Sequence, residues 1–292
     1  MNHPSNHNGP RVTRRYAFGA ATGLAALALA ACGSSKTSEG PKADGNGVTT
    51  LTIGATPVPQ AQILEFVQKK LAGPAKLDLK IKVMDDYNIP NAALNDGEIN
   101  ANYFQHKPFL ETQIKEKGYK LFPFEGIHIE PLGVYSKKLK ALTLDQIPEG
   151  ATFGITNDPT NQGRALTLLA KQKLFALKEG VEPTATTLFD IAENPKGIKF
   201  KEVDAAQLAR SLGDFDAAVI NGNFALASGL KPSSDALVLE DGKNNPYANM
   251  LVVREVDQDN PALVTLNKLL HSAEVKKYIQ ETWSDGAVIP AF

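Results

Sequence analysis

Leu51-Thr52-Ile53-Gly54-Ala55 and Leu77-Asp78-Leu79-Lys80-Ile81-Lys82-Val83 bracket the segment that decides the fold. In both runs apolar residues alternate with polar or small ones, the pattern of a strand with one buried face. Between them Ile63, Leu64, Val67 and Leu71 recur at helical spacing, and Pro57 and Pro59 break the first strand. Further on, Pro108 suits the first turn of a helix carrying Phe109, Leu110, Gln113 and Ile114. Strand, helix, strand, helix is the α/β signature of a mainly parallel sheet.

A second unit starts after Leu132-Gly133-Val134-Tyr135. Thr152-Phe153-Gly154-Ile155 reads as a strand that gives way to Asn157-Asp158-Pro159-Thr160-Asn161. A helix is expected over 163–177, with Lys178 at its end and Gly180 as a stop. Residues 199–203 form a strand, and Asp204 can cap a helix that Gly213 terminates. Ala217-Ala218-Val219-Ile220 is an apolar strand ending at Asn221. Met250-Leu251-Val252-Val253 returns, followed by helices over 262–270 and 273–281. No repeat of fixed period is present.

Ahead of these units lies an export signal. Arg11, Arg14 and Arg15 precede an apolar run over residues 18–31, which ends in Leu29-Ala30-Ala31-Cys32. The run has 14 residues, too few for a bilayer that needs roughly 20. Cys32 is the only cysteine, and Gly33-Ser34-Ser35 follows it. That order resembles the lipobox of bacterial lipoproteins, in which the thiol is diacylated and the peptide is cut before it. Two acyl chains anchor stably where one does not. Thr13-Arg14-Arg15 looks like a twin-arginine signal with Phe18 one place late, so either export route is open. Residues 33–47 are small, polar and rich in Gly and Pro, a flexible tether.

Cleavage before Cys32 removes three arginines and no acids. Lys plus Arg falls from 31 to 28 against 32 Asp plus Glu, leaving a net charge of about −4. That balance argues against a nucleic-acid partner. With no second cysteine, the fold rests on its core.

Three segments could carry chemistry. Asn157 to Arg164 join a strand end to a helix start, where free N–H groups attract anions and Arg164 adds a forked donor for a carboxylate or phosphate. A helix merely capped by Asp158 or Thr160, with Arg164 solvated, is the alternative. Asn100 to Pro108 place Phe104 and His106 at the carboxyl end of a strand, where ligands bind in α/β sheets. Equally, Phe104 could be core and His106 a satisfied loop residue. Asn221 is a ligand partner or a turn residue. His106, His128, Glu130 and His271 are the candidates for a metal, but none forms a close His/Cys pair, and no metal or cofactor is expected. No nucleophile elbow, P-loop or His-Glu-x-x-His motif occurs, so the chain is not read as an enzyme.

Over residues 51–292 the chain resembles the methionine-binding lipoproteins, the NlpA-type receptors of bacterial ABC importers. The matching strings include Gly54-Ala55-Thr56-Pro57-Val58-Pro59, Asp86-Tyr87, Phe104-Gln105-His106-Lys107-Pro108, Asn157-Asp158-Pro159-Thr160-Asn161-Gln162-Gly163-Arg164, Pro246-Tyr247-Ala248-Asn249 and Gly286-Ala287-Val288-Ile289-Pro290-Ala291-Phe292. The resemblance implies an α/β, two-lobed periplasmic-binding-protein fold of type II with the ligand cleft between lobes. The first lobe would hold 48–132 plus 252–292 and the second 133–251.

The resemblance also implies roles. Arg164 with Asn161 would take the carboxylate of methionine, Asn221 and Asn249 its ammonium, and Tyr87, Phe104, His106 and Tyr247 its side chain. The receptor would be a monomer, anchored through Cys32 on the extracytoplasmic face of the cell membrane. It would deliver methionine, L or D, to a permease whose ATPase subunit supplies the hydrolysis, since this chain has no P-loop. Many relatives carry His and Glu where Gln60 and Gln62 stand here, and Tyr where Phe109 stands. Those departures keep open a receptor for another amino acid or a short peptide, or, further off, a metal receptor or an extracytoplasmic enzyme.

Overall fold

The computed structural model describes residues 40–292 except Asn244. The signal, Cys32 and tether residues 33–39 lie outside the described residues. The remaining part of the tether runs along the first lobe. Asp44 Oδ1 accepts from the amides of Asn46 and Val48 at 2.9 Å, Ala43 bridges Thr49, and Asn260 Nδ2 donates to Pro41 O at 3.0 Å.

The first lobe begins as the alternation predicts. Strand β1 (Thr49–Ala55) leads through a wide turn into α1 (Gln62–Val67), then β2 (Leu77–Val83), α2 (Ile89–Asn95), β3 (Ala101–His106), α3 (Lys107–Lys117) and β4 (Leu121–Ile129). The second lobe follows with β5 (Gly133–Tyr135), β6 (Thr152–Thr156), α4 (Pro159–Lys171), a short hairpin of β7 (Ala176–Leu177) and β8 (Ile191–Glu193), and β9 (Lys199–Val203). It ends with α5 (Ala205–Leu208), β10 (Ala217–Ile220), α6 (Gly222–Ala227), α7 (Pro232–Asp235) and β11 (Ala236–Leu239). The chain then returns as β12 (Asn249–Arg254), α8 (Pro261–Leu270), α9 (Ala273–Thr282) and β13 (Ile289–Pro290).

The sheets are mixed rather than mainly parallel. The first has the order β13-β4-β12-β3-β1-β2 and the second β11-β5-β10-β6-β9. In the first, β3, β1 and β2 run parallel while β12 and β13 pair antiparallel. In the second, β10, β6 and β9 are parallel, while β5 pairs antiparallel with both β10 and β11. The antiparallel strands flank the two places where the chain changes lobe, which helix crossovers do not bridge. The return falls between Leu239 and Asn249. Strand β12 lies wholly in the first sheet, because Asn249 already pairs with His106 and His128, so residues 249–251 belong with the first sheet rather than the second unit of the sequence reading.

Each sheet is covered on both faces. Along β12, Leu251 and Val253 enter the core under α1, α8 and α9, while Met250 and Val252 enter the one formed with Leu94 and Leu110. Along β10, Ala217 and Val219 face α4, and Ala218 and Ile220 face α5. Such continuous apolar runs fit strands buried on both sides.

The long helix differs from its expected span of 163–177. It starts four residues early, capped by Asp158, and ends at Lys171, where Lys173 adopts a left-handed backbone with φ of 60°. Leu174 and Phe175 continue the apolar spacing but pack beneath the second sheet, and Ala176 and Leu177 become a strand. A helical pattern alone does not reveal a stop that no glycine marks.

Candidate functional site

Strand β3 is buried along its whole length and delivers His106 to the cleft. Its backbone is extended, with ψ of 161°, and its ring caps α3, Nδ1 accepting from Phe109 N at 3.2 Å. Nε2 reaches Asn161 Oδ1 at 3.1 Å in the other lobe. An imidazole that accepts at one nitrogen and donates at the other is neutral. Burial and the Arg164 charge hold its pKa down to about 3, against the opposing hydrogen bond it donates to Asn161.

Helix α4 begins opposite. Asp158 Oδ1 accepts from Asn161 N at 2.9 Å, Asn161 Nδ2 at 3.1 Å and Thr160 Oγ1 at 3.0 Å, and Oδ2 accepts from Thr156 Oγ1 at 2.8 Å. The carboxylate therefore occupies the helix start that the sequence offered to an anion. Arg164, one turn later, is not solvated: it is 4% exposed. Its Nε donates to Glu240 Oε1 at 3.0 Å, Nη2 pairs with Glu240 Oε2 and donates to Glu130 O at 3.1 Å, and the guanidinium lies 4.2 Å from the Tyr247 ring centre. Gly163 lets the 183–186 loop press on the helix, since a Cβ there would collide with the Pro183 carbonyl.

Asn221 precedes α6, yet its side chain does not cap it. Nδ2 donates to Asn161 Oδ1 at 3.0 Å, while Oδ1 is buried with no hydrogen-bond partner among the described residues. A buried acceptor left unpaired is costly and calls for an explanation. Next to it, Asn223 accepts from Tyr87 OH at 2.6 Å, a bond between lobes. The Tyr87 ring contacts Phe104, Phe109 and Phe224 at centroid distances of 5.8, 5.7 and 4.9 Å. Burial first, then the charges of Glu130 and Asp158, raise its phenol pKa, keeping it a neutral donor.

Glu130, weighed in the sequence only as a metal candidate, enters the site from the first crossing. Its Oε1 meets Gln60 Nε2 at 2.6 Å and His128 Nε2 at 2.7 Å; His128 Nδ1 in turn meets Tyr103 OH. Its Oε2 has no such partner among the described residues. Gln60 Nε2 also donates to Asn249 Oδ1 at 3.1 Å, which turns the Asn249 Nδ2 donor away from Gln60. Asn249 lines the cleft with its oxygen, which the family resemblance assigned to the ligand ammonium, already accepting from Gln60. No group of three or more His, Cys, Asp or Glu is placed to hold a metal among the described residues.

These groups surround a small cavity between the lobes. Tyr87, Phe104, His106, Asn161, Arg164, Asn221 and Asn249 all line it. Tyr247 instead lines an adjoining, larger recess behind Arg164, although its ring lies 5.0 Å from that of His106. Sequence reasoning missed Glu130 and Asn223, which also line the inner cavity. Their only signals were an acid beside the crossing at Pro131 and a second Asn at a helix start. Of the three departures, Phe109 lines the cavity, Gln60 lies behind Glu130 and Asn249, and Gln62 starts α1. The cavity is bipolar: polar donors and acceptors cluster at one end, and aromatic rings without charge form the other.

Two α/β lobes closing on a small bipolar cavity define a substrate-binding protein of the periplasmic-binding-protein class. The family model of the NlpA lipoprotein matches residues 51–292. The methionine-binding lipoprotein MetQ of Bacillus subtilis is 40% identical over 265 residues, covering 90% of this chain and 93% of that protein. A nutrient-binding protein from Burkholderia cenocepacia, solved bound to methionine, superposes with a TM-score of 0.78 at 43% identity, over 83% of this chain and 100% of that one. An ABC-transporter periplasmic substrate-binding protein from Coxiella burnetii gives 0.77 at 42% identity, over 82% and 100%. The chain belongs to the NlpA lipoprotein family.

Proposed function

We propose that this protein captures free methionine in the interlobe cavity and delivers it to an ABC importer. The carrying observation is the pairing of unused groups at the polar end. Arg164 Nη1 and Asn249 Nδ2 are donors without partners among the described residues, and they suit a carboxylate. Asn221 Oδ1 and Glu130 Oε2 are acceptors without partners, and they suit an ammonium. Tyr87, Phe104 and Phe109 would then wall the thioether, and each sulfur–ring contact adds about 0.3–1.5 kcal/mol. Asn161, bonded to His106, Asn221 and Asp158, holds this arrangement across the cleft.

Diacylated Cys32 would tether the monomeric receptor to the extracytoplasmic face of the membrane, and the permease and its ATPase would be separate chains. Calorimetry on protein unfolded and refolded to strip ligand, titrated with L- and then D-methionine, tests the reading. One-to-one binding without turnover is expected. Silence toward both from a folded sample would remove methionine and reopen other amino acids and short peptides. Replacing Cys32 with Ala should move the protein from the membrane to the soluble extracytoplasmic fraction.

A further inference from the structure

Glu240 sits where the chain leaves the second lobe, and it is held there twice. Its amide donates to Leu132 O at 2.8 Å, and its carboxylate accepts from Leu132 N at 3.2 Å. The two crossings between lobes are therefore laced together at this residue. From that fixed point the carboxylate takes the side-on edge of the Arg164 guanidinium, at Nε and Nη2. The Glu130 carbonyl takes Nη2 as well, and Tyr247 covers a face. Glu240 lines the outer cavity and is not among the described residues lining the inner one, so it grips the cation from behind.

We propose that Glu240 is a positioning residue for ligand recognition: it fixes the buried Arg164 guanidinium so that only its Nη1 edge faces the inner cavity. The proposal rests on the reading that Arg164 takes the ligand carboxylate. Two physical consequences follow. A buried cation needs a counter-charge in its own fold, and Glu240 supplies it before any ligand arrives. A planar fork held at Nε and Nη2 by Glu240 and again at Nη2 by the Glu130 carbonyl cannot rotate, so Nη1 meets a carboxylate at little further ordering cost. Burial alone would raise the Glu240 carboxyl pKa, but the hydrogen bonds and charge of Arg164 outweigh it and the net direction is down, so it stays an anion at neutral pH.

The test compares L-methionine with L-methioninamide, in which the carboxylate is a neutral amide, on the wild type, Glu240→Gln and Glu240→Ala. Calorimetry gives the affinity ratio of the two ligands, and urea unfolding gives stability. The wild type should prefer methionine by about a hundredfold, the scale of a charged hydrogen-bond pair. Each variant should narrow that preference at least about tenfold while changing methioninamide affinity less than about threefold. Should one variant fail to fold, the other carries the ratio. Equal losses for both ligands would assign Glu240 a purely structural role and overturn the proposal. A wild type that does not distinguish the ligands would overturn the Arg164 reading instead, whatever Glu240 does.

Discussion

Two helices of the second lobe begin at the cleft with the same kind of residue and use it in opposite ways. Asp158 opens α4 and directs its carboxylate into its own helix start. Asn221 opens α6 and gives that helix nothing: its amide nitrogen goes to Asn161, and its oxygen is left buried and unpaired. Both are Asx residues after an apolar strand, and both satisfy the local rule for a cap. On the proposed function, a cap position at a cleft is either closed for stability or kept open for a ligand. Which it is depends on partners from elsewhere in the chain.

Arg164 would serve both purposes, and its removal should have the largest effect. Arg164→Ala leaves the Glu240 carboxylate, 14% exposed, without its cation. Orphaning a buried charge should cost about 3 kcal/mol in urea unfolding, as well as methionine binding. Adding Glu240→Gln should restore most of the stability and none of the binding. A double variant that regained affinity would end the carboxylate assignment. His106 comes next, as the cap of α3 that also crosses to Asn161. Its folded pKa of about 3 lies below the ordinary 6.5, so the unfolded chain takes up the proton first. The stability tied to neutral His106 is complete above about pH 6.5 and falls as the pH drops toward 3. At about 1.4 kcal/mol per unit, roughly 2 kcal/mol should be lost by pH 5. Glu240, whose pKa is lowered from 4.5, contributes its own loss only further down, so the window from 6.5 to 4.5 reports His106. His106→Gln should flatten the profile there; an unchanged slope would show that His106 is not the titrating group.

Much of this was legible in order along the chain. The alternation of 51–55 and 77–83 placed the first strands, and the Asn157 to Arg164 and Phe104 to Pro108 strings supplied four of the residues that line the inner cavity, Phe104, His106, Asn161 and Arg164. What stayed hidden depends on long-range partners. The Arg164 and Glu240 pair joins residues 76 positions apart, and the turn of the Asn249 amide is set by Gln60, 189 positions away. No local pattern encodes either. Glu130 and His128 stood apart in the sequence as two of four metal candidates; they are hydrogen-bonded to each other, and their other side-chain partners are Gln60 and Tyr103.

The two helix starts themselves give the smaller and sharper predictions. Asn221→Ala removes an acceptor that would face the ligand ammonium, and a hydrogen bond to a charged group is worth about 1.5–3 kcal/mol. Methionine affinity should fall by roughly ten- to a hundredfold, with unliganded stability unchanged or higher because a buried unpaired oxygen is gone. Asp158→Ala should do the reverse. It strips the cap of α4, worth about 1 kcal/mol, and with it a negative charge that the helix N-terminus favours. Asn161 keeps its bonds from His106 and Asn221, so the cleft stays assembled and methionine affinity should move less than about twofold for want of any lost ligand contact. Urea midpoints and calorimetry on the pair decide the matter. If Asp158→Ala weakens binding as much as Asn221→Ala does, the α4 cap is part of the recognition surface and the contrast between a closed and an open helix start does not hold.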